Sequence, residues 1–81
     1  MSKTLHAPEY RQLIEWLKTA RAERGLTMRE FATELGVPHS YVGKVEQCER
    51  KLDVLEFVQY CEALKVSPDE GIKILYGKLN C

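Results

Sequence analysis

Apolar positions along this chain recur at helical spacing, in five blocks separated by short polar or glycine-containing breaks. In the first block Leu13, Trp16, Leu17 and Ala20 fall on one side of a helix that Pro8 opens, that runs to about Arg24 and that Gly25 ends. In the second, Phe31, Ala32 and Leu35 share a face. Thr27 is placed to cap that helix, Glu30 completes a capping box, and Gly36 supplies the left-handed residue that stops it. Pro38 fits the first position of the third helix, because its missing N–H is an orphan there anyway. This helix runs to about Gln47, with Val42 and Val45 as its apolar side. Residues 47–52 read as a loop. Asp53 and Glu56 then form a second capping box, and Val54, Phe57, Val58, Cys61 and Leu64 make the stripe of a fourth helix. Ser67-Pro68-Asp69-Glu70 combines a cap, a proline at the first position and acids in the first turn, and it opens a fifth helix that reaches about Lys78. There Ile72, Leu75, Tyr76 and Leu79 share one face and Ile74 points the other way. No segment alternates at strand period and none repeats. The expected fold is all-α: a compact five-helix bundle, one domain over residues 8–81 behind a flexible arm of residues 1–7.

The second and third blocks decide what the bundle is for. Two short helices, a sharp turn and a polar outer face on the second helix outline a helix-turn-helix. If Val42 and Val45 face the core, then His39, Ser40, Gly43 and Lys44 face out, near the N-terminal half of the helix. That is where side chains must stand to reach base edges in a major groove. Lys44 suits guanine O6 and N7, His39 can donate or accept according to tautomer, Ser40 suits base or phosphate, and Gly43 permits close approach.

The order Leu-Thr-x-x-Glu-Phe-Ala-x-x-Leu-Gly-Val, followed by Ser-Tyr-Val-x-Lys-Val-Glu, resembles the phage-repressor-like (Cro/cI, or XRE) DNA-binding family. The resemblance implies a lambda-repressor-like fold, double-stranded DNA as partner, and base contacts at His39, Ser40, Gly43 and Lys44. It places phosphate contacts at the start of helix two, at Met28 and Arg29, and after the recognition helix, at Gln47, Arg50 and Lys51. Met28 stands where the family usually has glutamine, so only the backbone amide would serve there, with Arg29 compensating. Tyr41 sits where similar domains carry an aromatic beside the turn, and phosphate contact and simple packing are equally weighted for it. Arg21 and Glu46 match a helix-one arginine and a helix-three glutamate that form a structural ion pair in similar domains. Cys48 stands where the family usually has glycine in a left-handed conformation. A tolerated substitution is the simpler reading there, and a redox switch near the DNA edge is the sharper one.

Composition narrows the alternatives. Eighty-one residues with 44% hydrophobic and 30% charged content suit a small globular domain. No apolar run approaches a membrane span and the N-terminus lacks the apolar core of a signal peptide, so a cytoplasmic location is expected. Cys48, Cys61 and Cys81 make an odd count without metal-ligand spacing, which suggests free thiols in a reducing compartment and no metal site. His6 and His39 are the only histidines, neither in a nucleophile or metal spacing, and no glycine-rich loop is present; an enzyme and a cofactor are not expected. Net charge is zero, which counts against strong non-specific binding to DNA. Its distribution is uneven: residues 1–29 carry six basic against three acidic side chains, and residues 52–70 one basic against five acidic.

The expected function is that of a sequence-specific transcriptional regulator, a repressor acting as a homodimer on a palindromic operator, with Ile74 and Leu79 as candidate dimer contacts. The competing reading is a protein-interaction module with the same fold, such as an antitoxin bound to its toxin. The neutral charge, Met28 and the acidic fourth helix favour that reading slightly.

Overall fold

A computed structural model describes residues 7–79, with the backbone alone for Lys78 and Leu79. The expected N-terminal arm, with Lys3 and His6, and the side chain of Leu79 therefore lie outside the described residues. Five helices follow one another: α1 (Pro8–Glu23), α2 (Met28–Leu35), α3 (His39–Glu46), α4 (Val54–Leu64) and α5 (Pro68–Leu79). Their ends have local causes. The Thr27 hydroxyl accepts from the Glu30 amide at 3.0 Å while the Glu30 carboxylate accepts from the Thr27 amide at 2.9 Å. Asp53 and Glu56 repeat that exchange at the start of α4, at 2.7 and 3.0 Å. Gly36 ends α2 at φ 76°, a conformation that glycine enters without steric cost. Pro38 differs from expectation. It is the N-cap of α3, with extended ψ 147°, and the helix begins one residue later at His39.

α2 packs on α3 and α4, and α1 packs along α5 while also touching α3 and α4. The core between them is Leu13, Ile14, Leu17 and Ala20 of α1, Phe31 and Ala32 of α2, Val42 and Val45 of α3, and Phe57, Tyr60, Cys61 and Leu64 of α4, with Cys48 from the loop. Phe31 and Tyr60 meet edge to face, ring centroids 4.9 Å apart. Burial raises the Tyr60 phenol pKa well above its ordinary value.

The expected stripes hold in α1, where Leu13, Leu17 and Ala20 are buried, and in α4, where Phe57, Cys61 and Leu64 are buried, with exceptions in each, whereas α5 is turned differently. In α1, Ile14 is buried and Trp16 only half-buried. In α4, Val54 is 82% exposed and Tyr60 takes the interior position. In α5, Ile72 and Tyr76 are exposed, Leu75 packs on the core, and Ile74 is half-buried rather than outward. The cause in α5 is Gly71. An added Cβ there would lie 2.8 Å from both Phe57 Cζ and Trp16 Cζ3, so the helix approaches α1 and α4 through its smallest residue.

Candidate DNA interface

α3 is held by its inner face and by one ion pair. Val42 and Val45 are fully buried. At the end of the helix, Arg21 Nε donates to Glu46 Oε2 at 2.6 Å and Nη2 donates to Oε1 at 3.1 Å, while Nη1 donates to the Leu26 carbonyl at 2.6 Å. The two side chains retain only 13% and 6% exposure. One guanidinium thus fastens α3 and the α1–α2 turn to α1, and loss of either partner would leave a charge stranded in a nearly dry place.

This anchoring fixes which side of α3 meets solvent. His39, Ser40 and Lys44 are exposed, and Gly43 between them is half-buried with open space where a Cβ would stand. They form one outward ridge opposite the two valines. At the start of α2, the capping box uses the Glu30 amide, while the amides of Met28 and Arg29 are first-turn donors without an intrahelical partner. Both side chains are exposed, Met28 by 42%. An exposed helix start with free amides can bind an anion such as a phosphate oxygen.

The segment after α3 is more constrained than its sequence suggests. The Glu49 and Arg50 amides both donate to the Lys44 carbonyl, at 2.8 and 3.2 Å. The Leu52 amide donates to the Tyr10 hydroxyl at 3.2 Å, tying the loop to α1. Arg50 Nη2 donates to Glu56 Oε2 at 2.6 Å, and its guanidinium carbon stands 4.7 Å from the centroid of the Tyr41 ring. Tyr41 is half-buried, and burial together with the Glu56 carboxylate raises its phenol pKa above the ordinary value, against the opposing pull of Arg50. Gln47 and Lys51 are exposed. Cys48 has φ 61°, the left-handed conformation, but its side chain is 7% exposed and packs in the core rather than facing a DNA edge. A redox switch at an exposed DNA edge, the sharper reading of Cys48, does not fit this buried thiol.

The helix-three ridge, the α2 helix end and the loop residues Gln47 and Lys51 all flank the same helix-turn-helix. Ile74 and Leu79 are remote from it in sequence and belong to α5. The residues that sequence reasoning missed are Tyr10 and Glu56. Glu56 was legible only as a cap, because its second oxygen and the Tyr10 hydroxyl reach residues that no local pattern predicts. Among the described residues no cluster of His, Cys, Asp or Glu could hold a metal ion, and no helix is long and apolar enough to cross a membrane.

Residues 17–71 match the helix-turn-helix family. Among solved structures, an XRE-family like protein from Pseudomonas syringae pv. tomato str. DC3000 is similar, with 38% sequence identity and a TM-score of 0.82 over 95% of this chain and 94% of that one. No functionally curated protein matches.

Proposed function

Because this chain belongs to the XRE-type helix-turn-helix family, whose members are DNA-binding and not catalytic, we propose that it is a cytoplasmic transcriptional repressor acting as a homodimer on a palindromic operator. The observation that carries the reading is the outward ridge of His39, Ser40 and Lys44 on a helix whose other face is locked by Val42, Val45 and the Arg21–Glu46 pair. A rigid helix with donors on its first turns is what major-groove readout requires. In this reading Lys44 contacts guanine, His39 and Ser40 contact neighbouring bases, and Gly43 admits the base edges closely. The amides of Met28 and Arg29, the Arg29 side chain, and Gln47 and Lys51 fix register on phosphates, with Arg50 and Tyr41 beside them.

The homodimer is supported by exposed apolar surface on α4 and α5. Val54, Leu55, Ile72 and Tyr76 are 82, 66, 50 and 64% exposed. Val54 and Ile72 also line a groove of about 250 Å³ with Tyr10, Leu13, Phe57 and Leu75. The same surface would suit a toxin or another protein partner, and that observation keeps the antitoxin reading as the second choice.

The test is selection from a random duplex pool at near-physiological salt, with Lys44→Ala alongside. The wild type is expected to enrich a palindrome, and the variant to relax one position in each half-site. Binding that tracks salt and ignores sequence would overturn the operator reading, and co-purification with a small protein would favour the partner reading.

A further inference from the structure

One carboxylate outside the DNA-facing ridge controls a cation beside it. Glu56 uses both oxygens: Oε1 accepts from the Asp53 amide at 3.0 Å as the reciprocal half of the capping box, and Oε2 accepts from Arg50 at 2.6 Å. A helix cap requires only the first of these bonds. The second reaches back across the α3–α4 loop to a guanidinium that also lies against the Tyr41 ring. The Arg50 amide donates to the Lys44 carbonyl, which holds the base of this side chain against the end of α3. Arg50 remains 41% exposed at the loop and Glu56 25% exposed, so the pair is open to solvent and to any polyanion that approaches.

We propose that Glu56 is a brake on the DNA affinity of this domain, neutralising Arg50 in place so that the α3–α4 loop contributes shape but one cation fewer to the phosphate backbone. The inference rests on the DNA-binding reading and deepens it. Glu56 acts through Arg50 and is therefore a positioning residue that need not touch DNA. The physical reason is counterion release. A cation already paired with an internal carboxylate neutralises no additional phosphate, whereas each unpaired cation at the backbone adds about 0.9 to the slope of log affinity against log salt. Weak non-specific binding is the consequence, in line with the zero net charge of the chain. Specificity then rests more heavily on the α3 ridge.

The test uses the full chain and a duplex carrying the selected operator, with affinity measured from about 50 to 200 mM salt. Glu56→Gln retains an oxygen for the Asp53 amide, so the cap survives, while its amide nitrogen cannot accept from Arg50 and the charge is gone. It is expected to tighten binding at low salt and to steepen the slope by about 0.9, an advantage that shrinks roughly threefold to fourfold across that range. The double variant Glu56→Gln with Arg50→Gln is expected to return to the wild-type slope. Glu62→Gln makes the same change in net charge on the far turn of α4, and is expected to move the slope by less than half as much. An unchanged slope for Glu56→Gln, a shift equalled by Glu62→Gln, or a gain that survives in the double variant would each overturn the brake while leaving DNA binding intact. Absence of duplex binding by the wild type itself would remove the DNA reading and the brake together. Thermal unfolding of each variant, measured in parallel, is expected to keep Glu56→Gln close to the wild type, and a large drop in its melting temperature would assign Glu56 a structural role instead.

Discussion

At Cys48, backbone conformation and side-chain burial oppose each other. The left-handed conformation at φ 61° costs a residue with a Cβ about 1 kcal/mol relative to glycine. The thiol is nonetheless buried, and removing a small apolar side chain from a core forfeits a similar ~1 kcal/mol. The two substitutions that test this diverge. Cys48→Gly relieves the backbone and loses the packing, so its stability in denaturant unfolding is expected to lie within about 1 kcal/mol of the wild type. Cys48→Ala keeps the strain and loses the sulfur contacts, and is expected to be about 1 kcal/mol less stable. An alanine variant equal to or more stable than the glycine variant would mean that the chain does not hold this conformation in solution. The left-handed geometry was legible from the family resemblance, but burial was not, because whether a loop side chain turns inward depends on helices that no local pattern supplies. Cys61 is simpler. It is fully buried on α4, where burial pushes its thiol up to about 11, and it behaves as a small core hydrophobe.

At the scale of elements, helix ends were legible and helix faces only partly so. Caps are local: Thr27 with Glu30 and Asp53 with Glu56 sit three residues apart, and the bonds that define them form within one turn. The inner face of α5 is decided at a distance. Treating large apolar residues as inward selected Ile72 and Tyr76, whereas the contact is made through Gly71, against Phe57, Trp16 and Leu13. Close approach between helices favours the smallest residue at the crossing, and a pattern of hydrophobicity reads glycine as neutral. Gly71→Ala is therefore expected to force α5 away from α1 and to cost roughly 1–3 kcal/mol, as overpacking does. The ordinary preference for alanine over glycine within a helix, about 1 kcal/mol, acts in the opposite direction. Measured unfolding free energy resolves the contest: a stabilised alanine variant would mean that α5 is not seated as described. The outward ridge of α3 escaped this difficulty because its inner side carries two buried valines, so the outer side followed by simple opposition.

At the scale of the whole molecule, the proposed operator reading calls for a second copy, because one recognition helix spans too few base pairs for a unique site. Dimers of helix-turn-helix domains place their recognition helices on half-sites ~34 Å apart, one turn of duplex. The apolar residues available for the contact are Val54 and Leu55 at the start of α4, and Ile72 and Tyr76 on the outer side of α5, rather than Ile74, which is half-buried. This rotation of α5 changes which substitution tests the dimer. Ile72 is 50% exposed and lines the groove beside Val54, so a charge there disturbs the surface with little effect on the core. Ile72→Glu is expected to shift sedimentation from dimer to monomer at micromolar concentration while leaving the melting temperature of dilute protein unchanged. A carboxylate desolvated at a subunit contact without a partner costs several kcal/mol, and each 1.4 kcal/mol is tenfold in the dimer dissociation constant, so the loss should exceed a hundredfold. Operator binding should weaken in parallel and lose its steep dependence on protein concentration, whereas contacts at a single half-site remain. A wild-type chain that sediments as a monomer at high micromolar concentration, with and without operator, would exclude the homodimer and leave the apolar face of α4 and α5 to a different protein.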